Sequence, residues 1–139
     1  MQTLTIGQLA KKAKVKVETV RYYERRELIP DPPRRESGYR MYSESDVARI
    51  RFIKRAQMLG FTLYEIMELL SLKVDPDTTC ADVKKRAEMK IKDIEEKMRA
   101  LKQMKMMLTK LAALCKGGPS GECSIIKALD SENFERVRY

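Results

Sequence analysis

The sequence predicts a mainly α-helical chain with a compact front and one long helix behind it. Three observations carry this. Thr79 to Cys115 contains neither Pro nor Gly and shows an apolar stripe at helical spacing. The first sixty residues hold two short helical patterns around a tight turn. A composition of 43% hydrophobic and 35% charged residues suits a folded chain rather than a disordered one.

The elements follow in order. Leu4, Ile6, Leu9 and Ala10 have helical apolar spacing, and Thr5 is placed to cap a helix over 6–12. A turn is expected around Ala13–Lys16, although it lacks the usual glycine. A second helix runs over 17–27, ended by Leu28-Ile29-Pro30. Two short helices across a tight turn form a helix-turn-helix pattern. Asp31 to Gly38 is rich in turn residues, and Tyr39-Arg40-Met41-Tyr42 alternates as a short strand does. Pairing of that strand with Ile29 would make a hairpin, and a hairpin after a helix-turn-helix is a wing. Ser43 caps a helix over 44–59, with Val47, Ile50, Ile53 and Leu59 expected inside and Gly60 as its stop. Thr62 caps a shorter helix with Leu63, Ile66, Leu69 and Leu70 on its apolar face.

Along the long helix, Ala87, Ile91, Ile94, Met98, Leu101, Leu108, Ala112 and Cys115 recur at spacings of four and three. Lys105 is the one gap, beside Met104. Such a heptad stripe needs a partner helix, most simply that of a second copy of the chain.

Composition excludes several functions. The absence of histidine rules out a Ser-His-Asp triad, a Cys-His pair and a His-ligated zinc site. Three cysteines cannot all pair within one chain, so a disulfide framework is a poor reading. No apolar run reaches the roughly 18 residues of a membrane span. Met1 to Ala10 lacks the order of a signal peptide, so a reducing cytoplasm is the expected location. The net charge of +9 is front-loaded: residues 1–60 carry +7, 61–79 carry −3 and 80–139 carry +5. With Tyr22, Tyr23, Tyr39 and Tyr42 interleaved, the front has the chemistry of a phosphate-contacting surface.

Five segments in order resemble the MerR family of bacterial transcription regulators: Leu4-Thr5-Ile6-Gly7-Gln8-Leu9-Ala10, Val20-Arg21-Tyr22-Tyr23-Glu24-Arg25, Gly38-Tyr39-Arg40-Met41-Tyr42, the run 45–53 and the run 59–66. The resemblance spans residues 4 to about 130. It implies a winged helix-turn-helix DNA-binding domain over 1–75, a linker and antiparallel coiled-coil dimerisation helix over 76–115, and a short metal-binding loop, helix and tail over 116–139. It implies DNA contacts from the second helix and the wing, carried here by Lys16, Glu18, Thr19, Arg21, Tyr22, Tyr23 and Arg40. Arg21 and Arg40 are the strongest of these, because a guanidinium grips phosphate bidentately or reads guanine. One of the two tyrosines, with Tyr23 favoured, is expected to pack in the core instead.

The cysteines then gain meaning. Cys80 and Cys115 are 35 residues apart on one stripe, five heptads. A helix of that length separates them by about 50 Å within one chain. In an antiparallel pair, Cys80 of one chain falls opposite Cys115 of the other, and Cys123 can return across the loop 116–122. Two equivalent three-thiol sites would result, each spanning both subunits. Three thiolates without imidazole make a soft site, and each thiol must lose its proton on binding. Such a site resembles that of mercury-responsive members, so mercury(II) is the expected effector, ahead of lead(II) and cadmium(II). Copper-responsive members look to have serine at the Cys80 position. The short step from Cys115 to Cys123 and the run Ala81-Asp82-Val83-Lys84 nevertheless look closer to them. Zinc-responsive members look to add an adjacent cysteine and a loop histidine, which fall here near Lys116 and the glycines.

The expected function is a homodimeric regulator that holds promoter DNA silent without metal. With metal it distorts the DNA so that RNA polymerase can use it. A metal-sequestering coiled coil is the rival of another class. A thiol oxidoreductase would need a Cys-x-x-Cys pair, which is absent.

Overall fold

The computed structural model describes residues 3–30, 32, 38, 40–115, 117–119 and 123–132. The described residues are mainly helical, as the sequence predicts. They form α1 (Ile6–Ala13), α2 (Val17–Arg25), α3 (Glu44–Met58), α4 (Leu63–Val74), α5 (Cys80–Ala113) and α6 (Ser124–Leu129). The chain divides into two compact units, Met1–Val83 and Lys84–Tyr139.

Local chemistry sets the helix starts in the first unit. Thr5 Oγ1 accepts from the Gln8 N–H at 3.2 Å while Gln8 Oε1 accepts from the Thr5 N–H at 2.9 Å. Thr62 and Glu65 repeat this reciprocal pair before α4, and Ser43 with Asp46 does so before α3. Each pair satisfies two of the amide donors that a helix leaves unbonded at its start.

The helices bury one face each. Leu9, Ala10 and Ala13 of α1, Val20 and Tyr23 of α2, Val47, Ile50, Ile53 and Ala56 of α3, and Ile66 and Leu70 of α4 form one core with Leu4, Leu28, Ile29 and Tyr42. α1 packs on both α2 and α3, and α3 packs on α4. Each fully buried Val, Leu or Ile contributes roughly 1.5–3 kcal/mol, so this face fixes how α2 stands on α1.

The turn between α1 and α2 works without glycine. Lys14 adopts the left-handed conformation with φ 58°. The N–H of Lys14 donates to Lys11 O and that of Val15 to Ala10 O at 2.9 Å, closing α1. Helix α3 reinforces the turn, because Lys54 Nζ donates to Lys14 O at 2.9 Å and Arg51 Nη2 to Lys12 O at 3.2 Å. Both bonds satisfy carbonyls exposed at the α1 terminus. A non-glycine residue in this region costs about 1 kcal/mol. Lys14→Gly should therefore stabilise the protein by about 0.5 kcal/mol after glycine's own chain entropy, with the Lys54 bond retained. Urea unfolding of the two proteins checks this.

Four expectations change. Helix α2 stops at Arg25, two residues early, because Glu27 turns left-handed at φ 60° and the Leu28 N–H bonds back to Tyr23 O at 2.9 Å. That turn sends Leu28 and Ile29 into the core. Tyr42 pairs with Leu4, through N–H···O bonds of 2.7 and 2.8 Å, rather than with Ile29. The rest of the expected wing turn, 31, 33–37 and 39, lies outside the described residues. Helix α3 ends at Met58, and Leu59, expected inside, is 66% exposed. It sits at the cap, off the face made by Val47, Ile50, Ile53 and Ala56. Gly60, at φ 92°, makes the stop as expected.

Helix α5 runs unbroken for 34 residues, its first four in the first unit and the rest in the second. Its stripe residues Ile91, Ile94, Met98, Leu101 and Leu108 are all exposed in the single chain. No helix among the described residues is long and apolar enough to cross a membrane.

Candidate nucleic-acid interface and thiol positions

Helix α2 presents its candidates on an outward face fixed by Val20 and Tyr23 inside. Lys16 precedes the helix with an extended backbone and is exposed, as are Glu18 and Arg21, while Thr19 is half-buried. Tyr22 is 40% exposed, and the Arg25 guanidinium lies 5.9 Å from its ring centre. Tyr23 is 3% exposed and belongs to the core. Its hydroxyl donates to Gln57 Oε1 on α3 at 2.6 Å, and burial followed by Tyr22 raises its pKa above the ordinary value. Tyr23 thus anchors α2 instead of standing on its exposed face.

Arg40 meets α2 through Glu24. Arg40 Nη1 pairs with Glu24 Oε2, and the Tyr42 hydroxyl donates to Glu24 Oε1. Burial first, and then the Glu24 carboxylate, push the Tyr42 pKa up to about 12. Arg21, Glu24, Arg25, Ile29 and Arg40 line a cavity of about 570 Å³. The structure therefore brings Arg21 and Arg40, the two strongest sequence candidates, to one concave surface. Three guanidinium groups around an open cavity fit an anionic backbone.

Sequence reasoning left Arg25 and Glu24 out of the candidate set. Arg25 follows Arg21 by four residues, so helical spacing alone could have found it. Glu24 could not be found that way, since its partners come from another segment. A second basic hollow, of about 320 Å³, is lined by Ala13, Lys14, Arg51, Lys54, Arg55 and Met58.

The thiols stand at the ends of helices. Cys80 is the first residue of α5 and is exposed. Thr79 caps that end, its N–H donating to Asp82 Oδ2 at 2.9 Å. Cys115 follows the last turn of α5, its N–H donating to Ala112 O at 3.1 Å, and is exposed. Cys123 is half-buried at the start of α6 and caps it with its carbonyl. All three are free thiols. Among the described residues of the single chain, no three Cys, Asp or Glu side chains gather as a metal site. The donor chemistry of the three cysteines, soft and without imidazole, fits a thiophilic ion.

A helix-turn-helix whose second helix shows basic and aromatic side chains defines a DNA-binding regulator. Comparison with known proteins gives the family. Residues 4–73 match the MerR HTH family regulatory proteins, and residues 47–111 match the MerR DNA-binding region. The chain is 42% identical over 137 residues to the mercuric resistance operon regulatory protein of Serratia marcescens, covering 98% of this chain and 94% of that one. It is similar in structure to the transcription regulator PbrR691 from Ralstonia metallidurans CH34 in complex with lead(II), with a TM-score of 0.82 and 36% identity over 91% of this chain and 98% of that one. The regulator MerR of Bacillus megaterium MB1, in complex with mercury(II), gives a TM-score of 0.71 and 42% identity over 92% and 100%. The chain belongs to the MerR family of DNA-binding transcription regulators, which are not enzymes.

Proposed function

We propose that the protein is a homodimeric, mercury(II)-responsive regulator of a promoter. One observation carries this reading: a 34-residue helix with an exposed apolar stripe has one cysteine at its start and two beyond its end. The stripe needs a partner helix. An antiparallel second copy would cover it and set Cys80 against Cys115 and Cys123 of the partner subunit. Residues 1–75 would bind DNA, 76–115 would link and dimerise, and 116–139 would complete the metal site.

The thiolates would hold a soft ion and tie the two subunits together when it is bound. The protein's own part is to turn that tie into a change at the DNA. Cys80 follows the segment 75–79 that joins α4 to α5, so a restraint on its side chain acts on that joint. Without metal the dimer holds the promoter silent. The restrained dimer distorts the DNA, which lets RNA polymerase use poorly spaced promoter elements. Such a switch requires tighter metal binding in the activating state than in the silent one. Mercury(II) is supported by the relatives named for mercuric resistance and by the thiol-only donor set. Lead(II) and cadmium(II) are the alternatives, with zinc(II) and copper(I) disfavoured by the lack of histidine and by Cys80.

The test is a titration of the reduced protein with mercury(II), lead(II), cadmium(II), zinc(II) and copper(I), reading bound metal and transcription from a palindromic promoter fragment together. The expected result is two mercury ions per dimer and induction by mercury at the lowest free concentration. Tight metal binding without salt-sensitive DNA binding would leave only the sequestering coiled coil.

A further inference from the structure

Glu24 is an acid at the centre of a surface that otherwise suits phosphate. Its side chain is 10% exposed and reaches from α2 to Arg40 and Tyr42. Its two oxygens are divided: Oε2 holds Arg40 Nη1, and Oε1 accepts from the Tyr42 hydroxyl. Tyr42 is itself fixed, being 1% exposed and tied to Leu4 by two backbone bonds. Tyr42 therefore holds Glu24 in place, and Glu24 holds Arg40. Arg21 and Arg25 complete the cavity wall.

We propose that Glu24 is a positioning and specificity-determining residue for DNA recognition. It sets the Arg40 guanidinium at a fixed place relative to Arg21, and it neutralises Arg40 until a phosphate arrives in that place. The inference rests on the family's DNA-binding function. On a matching operator, Arg21 and Arg40 meet phosphates together, and the favourable field of three guanidiniums outweighs the one carboxylate. On random DNA the duplex is not shaped to bring a phosphate there, so Arg40 stays with Glu24 and adds no counterion release. Glu24 thereby weakens random binding and supports operator binding, which is discrimination by repulsion as well as attraction.

The experiment uses the full-length chain and two duplexes of equal length. One carries the operator that the wild-type protein selects from a random library; the other carries random sequence. Affinity is measured against salt concentration. Glu24→Gln should tighten random-duplex binding about fivefold and, because Arg40 is no longer set in place, weaken operator binding about threefold. The log-affinity against log-salt slope on random DNA should steepen by about 0.9, the signature of one further phosphate contact. Glu24→Asp, which keeps the charge, should retain the wild-type slope. Arg40→Gln should leave the random-DNA slope unaltered and weaken operator binding about tenfold, an outcome independent of whether Glu24→Gln folds. Equal loss of both affinities in Glu24→Gln would mark Glu24 as structural only and overturn the proposal. So would a loss of random-DNA slope in Arg40→Gln. Failure of the wild-type protein to select any operator would overturn the DNA-binding reading instead.

Discussion

Cys80→Ser is expected to abolish metal-induced transcription while leaving DNA binding within about twofold of wild type. The substitution keeps the size of the side chain and removes a soft, ionisable ligand. A serine hydroxyl does not deprotonate near neutral pH, and it is a hard donor that a thiophilic ion disfavours. The remaining two thiols should bind at least about 100-fold more weakly, more than the 10–100-fold that loss of a supporting outer residue costs. Cys80 is exposed and lies outside the first unit's buried core, so folding should change by less than about 0.5 kcal/mol. Reporter transcription across a mercury(II) series, alongside a gel shift without metal, separates the two effects. Induction equal to wild type would remove Cys80 from the metal site.

The parts of the fold that were legible in the sequence are those encoded within four or five residues. Thr5, Ser43 and Thr62 announce helix starts because a capping side chain reaches an amide only three residues on. Gly60 announces an end because the left-handed turn favours a residue without Cβ. The same turn at Lys14 and Glu27 was not legible. Lys14 is supported by an amine forty residues away, on α3, and no local pattern reports such a bond.

The candidate site divides in the same way. Arg21 and Tyr22 stand on the exposed face that helical spacing assigns them, and Tyr23 faces inward toward Gln57. Glu24 escaped notice because its significance lies with Arg40 and Tyr42, sixteen and eighteen residues later. The pairing of Tyr42 with Leu4 is likewise a contact between distant segments, and turn composition pointed to a nearer partner. For the thiols, spacing gives their heptad register but not the second copy of the chain. That is why the arrangement of two subunits calls for a test of its own.

A mixture of Cys80→Ser chains with Cys115→Ser chains should recover tight metal binding that neither variant has alone. In an antiparallel dimer the two substitutions fall in the same site. One site of the heterodimer then carries both serines and is lost. The other keeps Cys80 from one chain and Cys115 with Cys123 from its partner, and is whole. Homodimers of either variant have two damaged sites, because a closed twofold dimer repeats each defect. Random assortment of equal amounts makes half the dimers mixed, so bound metal should reach about one quarter of the wild-type value. Purification through two different affinity tags isolates the heterodimer, where the expected value is one ion per dimer. A parallel dimer would set Cys80 beside Cys80, and a site built within one chain would keep each defect with its own chain. Neither arrangement regains a whole site on mixing, so a heterodimer that fails to bind mercury(II) tightly would exclude the antiparallel cross-subunit site.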